Sequence, residues 1–100
     1  MTISHIEELA RLIRKLHGAE ATHRESVPVK ETFQGQTVWE GVVEVFDLVG
    51  HPKASRVYAW KNEPDHHITV LHLGPIKSAA DAVRAAIVQE FRSLETTEEA

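Results

Sequence analysis

The loop Val49-Gly50-His51-Pro52-Lys53 is the most distinctive polar stretch of the chain. A histidine titrates near neutral pH, so His51 is a candidate general base. Lys53 is a candidate anion holder, and Asp47, four residues earlier, is a candidate partner to orient the imidazole. Ser55 is the nearest hydroxyl, but no spacing fixes it against His51, so the set lacks a placed nucleophile. In the plainer reading Gly50 and Pro52 shape a strand connection, with His51 and Lys53 in solvent.

Seven histidines in 100 residues raise the question of a metal. The candidate ligands are Glu63, Asp65, His66 and His67, with His72 further on. Along a strand His66 and His72 stand about 20 Å apart. Metal–ligand bonds are near 2 Å, so those two cannot share an ion. Adjacent His66 and His67 point to opposite faces of a strand. No metal site and no cofactor is therefore expected, and His72 is expected as a partly buried core histidine. Glu40 and Glu44 lie on one strand face, about 13 Å apart along the backbone. Paired-carboxylate glycoside chemistry needs roughly 5–9.5 Å between carboxyl groups. Arg56, Tyr58 and Trp60 alternate on one face, a pattern that can stack single-stranded bases. An aromatic pair on a strand also serves a core or a subunit contact. The chain has no P-loop, no dinucleotide fingerprint and no nucleophile elbow. No catalytic set is expected.

The elements that must position these residues come from a chain of ordinary domain size. It carries 11 basic and 15 acidic side chains, a net charge of −4 and no cysteine. Without cysteine there is no disulfide, thiolate zinc site or cysteine nucleophile. The acidic balance argues against binding phosphate backbones, so nucleic acid is not an expected partner. There is no apolar run long enough to span a membrane and no signal-peptide pattern at Met1 to Glu8, so a soluble cytoplasmic protein is expected.

Ile6, Leu9, Ala10, Ile13 and Leu16 recur at helical spacing. Ser4 with Glu7 forms a capping box, and Gly18 suits the left-handed residue past the end. Residues 19–35 read as a long connecting segment, with a short edge strand at most from Val29 to Phe33. Three strands follow, at about 37–48, 55–61 and 67–73, joined by short loops that imply antiparallel neighbours. Gly74-Pro75 ends the sheet. Ser78 with Asp81 starts a second helix over 79–94, striped by Val83, Ala86, Ile87, Phe91 and Leu94. Residues 95–100 read as a frayed acidic end.

The expected fold is one α+β domain over residues 1–100: α-β-β-β-α, a three-stranded antiparallel sheet with two helices packed on one face. That arrangement has a difficulty. Each strand carries apolar groups on both faces, and one helix layer covers only one. The uncovered face is then a candidate interaction surface made of Val42, Phe46, Tyr58 and Trp60, with Val57 and Ala59 as the alternative to the aromatic pair, unless residues 19–35 fold across it.

The α-β-β-β-α order resembles that of the double-stranded RNA-binding domain. The stretch from Gly74 to Ile87, Gly-Pro-Ile-Lys-Ser-Ala-Ala-Asp-Ala-Val-Arg-Ala-Ala-Ile, is similar to that family's junction between its last strand and an alanine-rich helix. The family's RNA-binding lysine pair does not carry over, because Ala79 and Ala80 stand in its place. Separately, the run from Trp39 to Leu48 with Gly50-His51-Pro52-Lys53-Ala54 and Tyr58-Ala59-Trp60 resembles small bacterial proteins of unassigned function. That likeness implies no activity.

The expectation is thus a non-catalytic module that binds a protein partner or itself as a homodimer. A nucleic-acid-binding module of the RNA-binding topology is the second reading. A small hydrolase or metal-dependent enzyme using His51 or the His66/His67 turn is the third.

Overall fold

Helix α1 (His5–His17) begins and ends where its caps dictate. The Ser4 side chain accepts a hydrogen bond from the Glu7 N–H at 3.1 Å. Gly18 sits in the left-handed region at φ +66 and its N–H donates to the Arg14 carbonyl at 2.9 Å. Glu7 and Glu8 in the first turn and Arg14, Lys15 and His17 in the last complement the helix dipole. The computed structural model describes residues 4–63 and 66–99, with side chains at 4–61 and 67–89.

Four strands follow: β1 (Glu20–Phe33), β2 (Gln36–Val49), β3 (Arg56–Glu63) and β4 (His66–Leu71), and then helix α2 (Ala79–Glu99). The α+β class and the antiparallel sheet agree with the sequence reading. The strand number does not. Residues 20–33 are a full strand rather than a long connection, and β1 and β2 pair over almost their whole length. Gln34 and Gly35, at φ +52 and +78, form the two-residue turn whose twist suits a hairpin. Helix α2 continues through residues 95–99, where a frayed end was expected, and Ala100 lies outside the described residues.

The sheet is a meander in the order β1-β2-β3-β4. Its helices lie on opposite faces, which corrects the expected single helix layer. Leu9 and Ile13 of α1 pack with Phe46, Leu48, Val57 and Ala59. Ala82 and Val83 of α2 pack with Val43, Val45, Tyr58 and Trp60. The two sets alternate along β2, β3 and β4, as the pleat requires. A sheet apolar on both faces needs a cover on each, so the two helices divide the work. This also separates the fold from the RNA-binding topology, which its strand count had already left.

β1 serves both cores through one irregularity. The register with β2 shifts between His23 and Glu25, leaving Arg24 as a bulge. Before the bulge, Ala21 packs on the α1 side; after it, Val27 and Val29 pack on the α2 side. The bulge thus turns over the face that β1 presents as the hairpin passes from one helix to the other.

β3 leaves β2 early. Their ladder stops at Glu44↔Ala59, while β3 continues against β4 to Glu63↔His66. Beyond Glu44 the β1–β2 hairpin projects as an arm braced by α2. At its root the Trp39 ring lies over Gly41, where an added Cβ would come 2.9 Å from the indole, and meets Trp60 edge-on at 5.8 Å.

Candidate interaction site

His51 is held by its own loop. Its Nδ1 accepts the backbone N–H of Lys53 at 3.1 Å and of Ala54 at 2.9 Å. With that lone pair occupied, the ring proton of the neutral form sits on Nε2. That arrangement fixes the β2–β3 turn; it leaves no free basic nitrogen for a proton transfer or a metal. Asp47 does not orient His51. It pairs with Arg24 at 3.3 Å and Arg56 at 3.8 Å on the other side of the sheet. Lys53 is exposed. The three residues expected as a polar site are therefore not one constellation.

The expected surface of Val42, Phe46, Tyr58 and Trp60 is divided as well. Phe46 is fully buried under α1, and Tyr58 and Trp60 are buried under α2. Only Val42, 49% exposed, faces solvent. The cause is the placement of the helices on opposite faces, which closes the face that a single helix layer would have left open.

The histidines are spent on other contacts. His67 Nε2 lies 3.1 Å from a Glu8 carboxylate oxygen, as an ion-pair contact without hydrogen-bond alignment. His72 Nδ1 lies 2.7 Å from the Tyr58 hydroxyl. His17 Nε2 lies 3.0 Å from Thr69 Oγ1. Burial, and secondarily the neighbouring His51, hold the His17 imidazole below its usual pKa of 6.5. Asp65 lies outside the described residues, as do the side chains of Glu63 and His66. Among the described residues no three metal-ligating side chains converge.

One polar cluster was not visible in the sequence. Glu44 is buried on the α1 side, and one of its carboxylate oxygens accepts from both His23 Nε2, at 2.9 Å, and the Ser26 hydroxyl. Serine, histidine and glutamate are the components of a nucleophilic triad, but the connectivity differs. A triad histidine uses one nitrogen for the serine and the other for the carboxylate. Here the same His23 nitrogen faces both, at 3.5 Å from Ser26 Oγ, and the serine proton goes directly to Glu44. The arrangement satisfies a buried carboxylate. Reading residues 19–35 as a connecting segment hid it, because the cluster exists only once β1 is paired with β2.

The site that remains lies between the arm and α2. A groove of about 530 Å³ is lined by Phe33 and Val38 from the hairpin tip and Ile87 and Val88 from the helix. Phe33 is 65% exposed, Val38 47% and Val88 48%. At its rim Glu31 forms an ion pair with Arg84, which also reaches Asp81 at 3.5 Å. Val38 belongs here because the register shifts between Glu31↔Trp39 and Thr32↔Thr37, so that Val38 bulges out of the ladder. The sequence signal was present in Gln34-Gly35, a turn between two β-rich runs. Comparison with protein families, with curated proteins and with solved structures gives no match.

Proposed function

We propose that the protein is a non-catalytic interaction module, and that its working surface is the groove between the arm and α2. The observation that supports this is the exposure of Phe33, Val38 and Val88 around one cavity. Contiguous apolar surface is uncommon on a small protein unless something docks there. The cavity volume falls in the usual range of ligand sites, roughly 300–1,000 Å³. The occupant is an apolar segment of a protein, with the Glu31–Arg84 pair at the rim to orient its polar groups. Catalysis has less support, because Ser26, His23 and Glu44 converge on one oxygen and His51 is occupied by backbone.

The test uses an apolar fluorescent dye, anilinonaphthalene sulfonate, titrated into the full chain. One dye per chain is expected. Phe33→Glu and Val88→Glu each weaken binding about tenfold or more, a change of about 1.4 kcal/mol. Both leave the melting temperature in place, since neither side chain is in the core. Absent binding, or binding unchanged in both variants, overturns the reading.

A further inference from the structure

We infer that two copies of this chain pair antiparallel through the edge of β2 beyond Glu44, in the stretch that carries Val38, Glu40 and Val42. The inference rests on the reading of the protein as an interaction module and adds a second surface, whose partner is a second copy.

The first support is the ladder itself. On the β1 side Val42 pairs with Pro28 and Glu40 with Lys30. On the other side the ladder with β3 ends at Glu44↔Ala59 among the described residues. Alternate residues of an antiparallel strand direct both N–H and C=O to the same side. Past Glu44, part of that row points to where β3 has departed.

The second support is a contrast within one hairpin. The outer edge of β1 carries the devices that keep edges from joining: Pro28 in mid-strand, the Arg24 bulge, and the charges of Glu25 and Lys30. The distal part of β2 has no proline, no lysine and no arginine, its one charge is Glu40, and its own bulge, at Val38, lies out towards the turn, past the stretch from Glu40 to Val42. Val38 and Val42 are about half exposed there. An edge of this kind is covered in a working protein, or it joins its own kind.

The third support is symmetry. A two-fold contact must suit itself. A register that sets Glu40 opposite Val42 of the partner subunit keeps the two glutamates apart, so no like charges meet. Lys30, across from Glu40 on β1, supplies a local counter-charge. The product is one continuous eight-stranded sheet.

Sedimentation velocity on the full chain over micromolar to submillimolar concentration tests this. Wild type is expected at twice the chain mass of 11.2 kDa. Val42→Lys is expected to raise the dimer Kd by about tenfold or more, with dye binding in the groove unchanged and with melting unchanged at concentrations where both chains are monomeric. Amide hydrogen exchange at residues 40–42 should slow with rising wild-type concentration and should not in Val42→Lys. A species at 11.2 kDa throughout, a dimer indifferent to Val42→Lys, or exchange independent of concentration overturns the proposal. A monomer that binds dye, and loses it in Val88→Glu, removes the edge pairing and leaves the groove reading standing. A dimer that binds no dye, broken by Val42→Lys, does the reverse.

Discussion

The rings of His17 and His51 meet edge to face at 6.4 Å, one from the last turn of α1 and the other from the β2–β3 loop. Thr69 of β4 completes the contact at His17 Nε2. Arg14, one turn earlier on α1, is paired with Glu20. This cluster ties the end of α1 to the sheet.

It also sets a pH dependence. The His17 pKa is lowered in the folded protein, so below pH 6.5 the unfolded chain takes up this proton more readily. The stability contributed by neutral His17 is complete above 6.5 and is lost as pH falls through the folded value. His67 beside Glu8 and His23 beside Glu44 are paired with carboxylates, so the comparison must be with a variant. Urea unfolding of wild type and His17→Gln at about pH 7.5 and about pH 5 should show a smaller acid loss in the variant. Equal losses would sink this account.

Glu44 is the acceptor that both His23 and Ser26 use. Glu44→Ala removes it, and the two donors, being partly exposed, turn towards water. A loss of about 1–3 kcal/mol is expected. Glu44→Gln keeps an acceptor and should lose less. Chemical denaturation of the two variants gives the order.

Gly41 makes room for the Trp39 indole, not for a left-handed backbone. Gly41→Ala places a methyl 2.9 Å from the ring and must push it off the strand. The expected loss is about 1–3 kcal/mol, as for overpacking, together with a changed tryptophan emission from the Trp39–Trp60 pair. Unchanged emission would contradict the observed stacking.

Duplex RNA should not bind tightly at physiological salt. Ala79 is buried against the sheet, where no side chain is offered to a phosphate, and the chain is acidic overall. Sub-micromolar, salt-dependent binding in a fluorescence anisotropy titration would show otherwise.

Both helices were legible because their caps and periodicity are local: Ser4 with Glu7 and Gly18, Ser78 with Asp81. The valine-rich β2 was legible for the same reason. β1 was not, because the Arg24 bulge breaks its alternation and Pro28 reads as a strand breaker unless the strand is at an edge. The side on which each helix packs is a tertiary choice. Its trace in the sequence was indirect: Val43 and Val45 on one side of β2, Phe46 and Leu48 on the other, each wanting cover. The groove at Phe33 and Val38 could not be read until β1 existed, and His51 looked chemical because its loop's need for an acceptor is invisible in one dimension.

The bulge at Arg24 has a consequence for cooperativity. Because it hands β1 from one core to the other, and because β2 and β3 alternate between them, neither core owns a strand. α1 and its apolar cluster cannot melt while the α2 cluster stays intact, since each would take the same sheet with it. The molecule has two hydrophobic clusters but should show one unfolding transition, with calorimetric and van't Hoff enthalpies in agreement. A substitution under α1, such as Phe46→Ala, should lower the stability of the Trp39–Trp60 side by the same amount, and tryptophan fluorescence and far-UV dichroism should report a single midpoint.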